Sequence, residues 1–235
     1  MTQLAPPIPR TKAAAAYERL RADILSCAIA PGARLPVELV AERYHVGPTP
    51  AREALNRLAA EGLATLAEQR GFSAAAVSPA ELIELTETRC LIEEAALRRS
   101  MQGADPVWEE RLLLAAHRLA RTPNSAADSD FRESPEWERR HAAFHAALIG
   151  GAGSRWIAGF GEVLNQQFRR YRALAMRAAY PTRDARAEHD ALARAALAGD
   201  PDHAARLLRA HYRCTAGIIL GVLGASDPWR PSGSA

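Results

Sequence analysis

Two pairs of histidines in the second half of the chain have spacings that suit the binding of one metal ion. His141 and His145 stand four residues apart, so on a helix they share one face, about 40° apart around its axis. His189 lies about ten residues before the turn at Gly199-Asp200, and His211 lies about eleven after it. If two antiparallel helices meet at that turn, these two rings lie at the same height. Neutral imidazole binds divalent ions, so the four histidines predict a metal site, for zinc first and nickel second.

A histidine site with open coordination positions can serve two kinds of function. A carboxylate ligand can bind such an ion directly, and in a metalloenzyme the ion activates water. The sequence has no HExxH motif, and Glu188 is expected to point off the helix face that carries His189, so no general base is evident. A lone histidine is more often a core or surface residue, and only the joint spacing of the four favours a metal.

The elements that must position these histidines are predicted to be helices. Ser78-Pro79-Ala80-Glu81 is a capping box with proline at the first helical position, and a long amphipathic run follows it. Further helices are predicted over 106–121, 135–149, 154–178, 184–198 and 201–223, separated by stretches of Gly, Pro, Ser and Asp. These features predict an antiparallel all-α helical bundle over 78–223, followed by a flexible tail over 224–235.

The first half of the chain has a different pattern, of helix, tight turn, helix and hairpin. A helix over 37–44 is predicted to turn Leu39 and Val40 inward, and a second helix follows over 49–61. Alternating residues over 63–66 and 72–77 flank a polar tip at 68–71, which predicts a two-stranded wing. With a preceding helix capped by Thr11, these elements predict a winged helix-turn-helix over 11–77. The proline-rich segment 1–10 before it is predicted to be disordered.

Polar side chains on the second of these helices could contact DNA, since its other face is apolar. Arginine pairs two acceptors on guanine or holds a phosphate, which makes Arg52 the leading candidate. A solvated helix face is the ordinary alternative for such arginines. The wing tip could enter the minor groove or hold the DNA backbone. The predicted DNA contacts are Thr49, Arg52, Asn56, Arg57, Arg70 and Gly71.

Composition bounds the class of protein. With 235 residues, 48% hydrophobic content and few aromatics, the chain is expected to form two mostly α domains. A net charge of +3 is too small to establish nucleic-acid binding alone. Three distant cysteines predict neither a disulfide framework nor a CxxC zinc site. No signal peptide or long apolar run is evident, so a cytoplasmic protein without a membrane partner is predicted.

Three motifs in the first half carry a family resemblance. LxxxxxAExxxV, TPAREALNRLAAEGL and RGF, over about residues 15–77, resemble the N-terminal domain of GntR-type bacterial regulators. The resemblance implies a homodimer on double-stranded operator DNA, with a recognition helix that begins near Thr49 and contacts at Thr49, Arg52 and Gly71. Gly47-Pro48 stands where many members have Ser-Arg. A commonly used DNA-contacting arginine is therefore absent, which leaves more of the contacts to the other arginines of this module.

The second half resembles the FCD effector domain of the FadR subgroup, through FHAAL and EHDALARAALAGDPDHAARLLRAH, over about residues 79–222. The metal ligands of that domain carry over to His141, His145, His189 and His211. His141 departs from the usual Asp or Asn. HAAFHAALIGGAGSRW and QQFRRYRAL resemble the CsiR-type branch, which is associated with small dicarboxylates such as glutarate.

Three further residues are candidates for binding the effector. Arg89 lies on the first helix of the second domain, and Arg172 follows GGAGS. Either guanidinium could fix the second carboxylate of a metal-bound diacid by a bidentate pair, with a surface salt bridge as the ordinary alternative. Asn165 lies near the level of His141 and could also reach the cavity.

Together these features predict a repressor whose operator affinity is controlled by a small carboxylate at the metal. The carboxylate would shift helices at Ser78-Pro79 and change the spacing of the two recognition helices. The alternatives are a metal-dependent, hydrolase-like enzyme and an architectural DNA binder without ligand control. The first leaves the DNA-binding module unexplained, and the second leaves the histidines unexplained.

Overall fold

The structure is a computed structural model that describes residues 11–125, 134–179 and 183–230. The chain divides into two compact units, Met1–Val77 and Ser78–Ala235. Residues 1–10, which the sequence predicts to be disordered, lie outside the described residues, as do 126–133, 180–182 and 231–235. The described chain is mostly α-helical, as predicted. No helix in the described ranges is both long and apolar enough to cross a membrane.

The first unit is the predicted winged helix-turn-helix. Thr11 begins α1, because its hydroxyl accepts a hydrogen bond from the Ala14 N–H at 3.1 Å. His45 ends α2 in the left-handed conformation, with φ 57°. Gly71, with φ 71°, allows the turn at the wing tip. The two strands are antiparallel, with Ala64 opposite Ala74. The elements are α1 Lys12–Leu25, α2 Val37–Tyr44, α3 Pro48–Ala60, β1 Ala64–Ala67 and β2 Gly71–Ala74.

The core of the first unit lies between α1, α2 and α3. Leu20 of α1 packs with Leu55 and Leu58 of α3, and all three are fully buried. The prediction for α2 is half right, because Val40 is buried but Leu39 is 59% exposed. The buried residues of α2 are spaced three and four apart, and Leu39 lies off that stripe.

The second unit is an antiparallel bundle whose helices begin at side-chain caps. Ser78 accepts a hydrogen bond from the Glu81 N–H, and Asp105, Ser134, Asp184 and Asp200 each cap a helix in the same way. The central helix α4 packs against α7 and α9. The helices are α4 Pro79–Gln102, α5 Pro106–Ala120, α6 Pro135–Ile149, α7 Arg155–Ala179, α8 Ala185–Leu197 and α9 Pro201–Val222.

The segment after α9, which the sequence predicts to be a flexible tail, contacts the bundle through Trp229. Trp229 donates a hydrogen bond from its indole N–H to Glu87 of α4, and its ring faces the Arg213 guanidinium of α9 at 6.0 Å. These contacts place Trp229 against α4 and α9. The flexibility of the tail stays a prediction. The rest of the predicted tail, 231–235, lies outside the described residues.

Candidate functional site

The four predicted histidines meet in the core of the second unit. His141 and His145 come from α6, His189 from α8 and His211 from α9. All four are buried, and one ring nitrogen from each lies within 4.8 Å of the others. The α8–α9 hairpin turns at Gly199, with φ 73°, and brings the rings of its two histidines to a centroid distance of 4.6 Å. These four residues are called the histidine tetrad below.

Burial sets the charge of the tetrad. Burial, as the larger cause, and neighbouring Arg183, as the next, lower the pKa of His189 to about 4. Burial also lowers the pKa of His141, His145 and His211 well below 6.5, and nearby cationic groups act in the same direction. All four imidazoles are therefore neutral at pH 7, which is the form that binds metals.

The donor atoms fit a divalent metal. The Nε2 atoms of His141 and His145 lie 3.1 Å apart, within the roughly 2.8–3.3 Å expected between adjacent nitrogens that share one ion at about 2.0 Å, from six-coordinate to four-coordinate geometry. A five- or six-coordinate ion keeps a position open for a further ligand beside four histidines. The widest pair in the tetrad, within 4.8 Å, must close slightly to share that ion. The Nε2 atom of His189 is buried and has no hydrogen-bond partner among the described residues. A buried nitrogen left in this state is the kind of group that a metal would satisfy.

Hydrogen bonds support the tetrad from outside. His211 Nδ1 lies 2.8 Å from Glu188 Oε2, and His145 Nδ1 lies 3.1 Å from the Tyr212 hydroxyl. Tyr212 in turn donates to the buried Glu93 carboxylate of α4. Burial and Glu93 raise the pKa of Tyr212 well above 10, so its hydroxyl keeps its proton. His141 stacks on Trp137 with ring centroids 4.6 Å apart.

A cavity of about 40 Å³ borders the tetrad, with room for a few groups the size of a water molecule. An adjoining groove of about 500 Å³ shares His189, Arg183 and Trp137 with it. The predicted effector residues Arg89 and Arg172 both line the cavity. Asn165, in contrast, is not among the described residues that line it. The cavity wall therefore combines neutral imidazole rings, which could hold a metal, with cationic groups.

The two arginines that line the cavity differ in their partners. Arg89 is 1% exposed, and its Nε donates to Glu93 at 2.8 Å, with its guanidinium 4.0 Å from the centre of the Tyr212 ring. Its Nη2 atom is buried and has no hydrogen-bond partner in the described part of the chain. Arg172 is paired with the buried Glu138 carboxylate. Arg89 thus has a donor left for a bound anion.

Sequence reasoning missed several residues of this site. Glu93 and Tyr212 were not singled out, although Arg89 and Glu93 stand four residues apart on one helix face, which is a signal for an ion pair. Glu188 was expected to point away from the site, but its carboxylate reaches His211 on the neighbouring helix. A spacing rule for one helix does not capture contacts between two helices.

The predicted DNA-contacting residues lie on an exposed face of the first unit. Thr49, Arg52 and Asn56 of α3 are exposed, as are Arg70 and Gly71 at the wing tip. Arg52 forms no hydrogen bond or ion pair with any other described residue.

Arg57, on the same helix face, is already engaged. It stacks 3.7 Å from the centre of the Tyr17 ring and pairs with Glu61 at 3.3 Å. Arg57 therefore links α3 to α1.

Comparison with known proteins identifies the family. The model of the bacterial regulatory proteins of the gntR family matches residues 12–73, and the FCD domain model matches residues 84–213. The chain belongs to the GntR family and carries an FCD domain. It is similar to the HTH-type transcriptional regulator BphR of Paraburkholderia xenovorans, with 35% identity over 92% of this chain and 89% of BphR. It is also similar to the HTH-type transcriptional repressor GlaR of Escherichia coli, with 32% identity over 86% of this chain and 93% of GlaR.

Solved structures share the fold of this GntR-family chain. E. coli McbR/YncC has a TM-score of 0.72 at 20% identity, over 90% of this chain and 98% of that one. A GntR regulator from Rhodococcus sp. RHA1 has a TM-score of 0.71 at 21% identity, over 89% of this chain and 98% of that one. The matched families and relatives are regulators, so the chain is a DNA-binding transcriptional regulator and not an enzyme.

Replacing Arg52 with alanine is expected to weaken operator binding by about 1–3 kcal/mol, because the exposed guanidinium is free to contact a base or a phosphate. Fluorescence anisotropy with a DNA duplex selected by the wild-type chain measures the loss. Arg111→Ala removes the same charge from the second unit and serves as the control. Equal affinities of the two variants would contradict a contact by Arg52.

Proposed function

We propose that this regulator is a repressor whose operator affinity is controlled by a small carboxylate bound at a divalent metal ion in the histidine tetrad. The observation that carries the proposal is the convergence of four buried, neutral imidazoles beside a cavity that Arg89 also lines. The similarity to a protein named as a repressor, GlaR, supports the direction of control.

The tetrad would hold the ion through His141, His145, His189 and His211. An all-imidazole donor set suits zinc, with nickel as the second choice. When bound, the ion supplies a Lewis-acidic centre to which a carboxylate oxygen can bind. The protein contributes four neutral ligands and a buried setting, in which the attraction between a metal and a carboxylate is less screened than in water.

Arg89 is the residue proposed to hold a second carboxylate of the effector. Its Nη2 faces no acceptor among the described residues, and its position on the cavity wall suits an anion there. Arg172 contributes positive charge while it remains paired with Glu138. A dicarboxylate such as glutarate, which the likeness to the CsiR-type branch also suggests, would meet both the metal and Arg89. The small cavity favours a compact acid, and a longer one would extend into the adjoining groove.

The helix α7 is proposed to transmit effector binding. Its residues Phe168 and Arg172 line the cavity, while Tyr171 between them accepts a hydrogen bond from the Ser78 backbone N–H at 3.2 Å. A shift of α7 on effector binding would thus reach the start of α4, at the Ser78-Pro79 junction. In a dimer, this would change the spacing of the two recognition helices and lower operator affinity. The DNA contacts would be Thr49, Arg52, Asn56, Arg57, Arg70 and Gly71.

A homodimer is proposed to form through an apolar stripe on α7. Trp156, Phe160 and Val163 are spaced four and three residues apart, and their exposed fractions are 66%, 56% and 51%. Such a patch marks an interaction surface. Phe160→Glu is expected to convert a dimer to a monomer in sedimentation experiments, whereas Leu113→Glu, at an exposed leucine of α5, is expected to leave it dimeric. A wild-type monomer would overturn the proposal, as would a dimeric Phe160→Glu variant.

Thermal unfolding with a panel of monocarboxylates and dicarboxylates tests the proposed function. A matching acid is expected to stabilise the zinc-loaded chain by about 2.7 kcal/mol at 100 times its Kd. It is expected to leave the chelator-treated chain unchanged, because the metal supplies the first contact. A carboxylate that stabilises both forms equally would contradict the metal-centred site. A panel without any stabilising acid would contradict carboxylate control.

A further inference from the structure

The hydrogen bonds of the ring nitrogens that face away from the centre of the tetrad determine whether its histidines can bind a metal. A neutral imidazole has one N–H and one lone pair, and only the nitrogen with the lone pair can bind a metal ion. The hydrogen bond made by the other nitrogen therefore decides whether a histidine can be a ligand. In His145 and His211 that bond is made by Nδ1.

The tautomer of His211 is fixed by a carboxylate. Glu188 Oε2 lies 2.8 Å from Nδ1, and a carboxylate can only accept, so Nδ1 carries the proton. Arg183 Nη2 also lies 3.1 Å from Nδ1. Its two protons, however, go to Glu188 and to the His211 carbonyl oxygen, which leaves none for the ring. Arg183 Nε donates to the other oxygen of Glu188 at 2.7 Å and holds the carboxylate in place.

The tautomer of His145 is fixed by a longer series of hydrogen bonds. The Tyr212 hydroxyl has a single proton and donates it to Glu93 Oε2. Its oxygen can then only accept from His145 Nδ1, at 3.1 Å. Glu93 accepts from Arg89 Nε at 2.8 Å through its other oxygen, so this carboxylate is held by two donors. The direction of the whole chain is set by Glu93, which belongs to a different helix from His145.

We propose that Glu188, and Glu93 acting through Tyr212, are positioning residues that fix His211 and His145 with the Nε2 lone pair toward the centre of the tetrad. The site is thereby arranged for a metal before one binds. The inference rests on the proposed metal site for its purpose, but the arrangement itself belongs to the metal-free chain. His141 has no such support, because its Nδ1 has no hydrogen-bond partner among the described residues.

Nuclear magnetic resonance of the metal-free, full-length chain with ¹⁵N-labelled histidine tests the arrangement directly. Long-range proton–nitrogen spectra distinguish the two neutral tautomers, and single His→Gln variants assign the signals. His145 and His211 are expected to carry the proton on Nδ1. A proton on Nε2 of either residue would overturn the proposal for that residue. The result does not depend on metal binding, so a wild-type chain that binds no zinc would defeat the proposed function without deciding this question.

Two substitutions test the series of hydrogen bonds that runs through Tyr212. Tyr212→Phe is expected to weaken zinc binding about 10–100-fold, because His145 loses its acceptor. The matched control is Tyr171→Phe, which also removes a buried hydroxyl that donates to a glutamate of α4, here Glu81, but lies outside the tetrad. It is expected to keep the wild-type zinc affinity. Equal zinc affinities of the two variants would overturn the proposal.

Glu93→Gln tests the direction of these hydrogen bonds without removing the tyrosine. An amide nitrogen can donate to the Tyr212 oxygen, and the hydroxyl proton is then free to bond to His145 Nδ1. The His145 signal is expected to move toward the tautomer with the proton on Nε2, and zinc affinity is expected to fall with it. An unchanged His145 tautomer in this variant would contradict control by Glu93. This spectrum also decides the question if the Tyr212→Phe variant does not fold.

Discussion

The double variant His189→Ala/His211→Ala is expected to lose metal binding and effector response while it retains operator binding. These residues supply two of the four ring nitrogens of the tetrad. The loss of one supporting residue already costs about 10–100-fold in metal affinity, so the loss of two direct ligands is expected to exceed 100-fold. The DNA-binding residues belong to the other unit. Metal content, calorimetry with zinc and anisotropy with operator DNA measure the three properties.

A second double variant separates this effect from a general loss of histidine. His117→Ala/His203→Ala removes two exposed histidines outside the tetrad and is expected to behave as the wild type. Metal binding and effector response must be lost in His189→Ala/His211→Ala and kept in His117→Ala/His203→Ala. An unchanged response to the effector in His189→Ala/His211→Ala would contradict it, even if metal content fell.

The stability of the metal-free chain is expected to fall steeply as the pH is lowered from about 7 to about 4.5. Burial lowers the pKa of His189 to about 4 from the ordinary value of 6.5. Between these values the unfolded chain binds a proton that the folded chain excludes, so the free energy of unfolding decreases as the pH falls. The loss is on the order of 3 kcal/mol for His189. His141, His145 and His211, whose pKa values are lowered in the same direction, add to it.

Urea unfolding in the presence of a chelator, followed by circular dichroism over this pH range, measures the effect. The double variant His189→Ala/His211→Ala is the control, since it lacks two of the groups that must take up protons. Its free energy of unfolding is expected to depend less on pH. A wild-type profile as shallow as that of the variant would show that the tetrad is not held neutral by burial.

Local sequence patterns predicted the helices of the second unit well. The predicted bounds of α5 to α9 differ from the observed ones by at most one residue at either end. The reason is that Ser or Asp followed by Pro marks several of the starts, and such caps act over three or four residues. His189 and His211 lie at similar distances from the Gly199-Asp200 turn, which predicted that their rings meet, because a tight turn between antiparallel helices fixes their register.

Contacts between distant segments were harder to predict. Trp229 contacts Glu87 and Arg213, which are distant in the sequence, and no local pattern links these side chains to it. Leu39 is apolar but lies off the buried stripe of α2.

The supporting residues of the tetrad were missed for a related reason. Tyr212 and Glu93 come from two helices and meet only in the folded bundle. Side chains of this kind become visible as parts of a site once the packing is known.

The central claim is that a carboxylate at the metal-loaded tetrad controls operator affinity. Fluorescence anisotropy tests it most directly, with a DNA duplex selected by the wild-type chain and glutarate as the first ligand of a carboxylate panel. The zinc-loaded chain is expected to release the duplex as a matching carboxylate is added, and the chelator-treated chain is expected to hold the duplex at every carboxylate concentration. Release that is equal with and without metal, or no release by any carboxylate of the panel from the zinc-loaded chain, would contradict the claim.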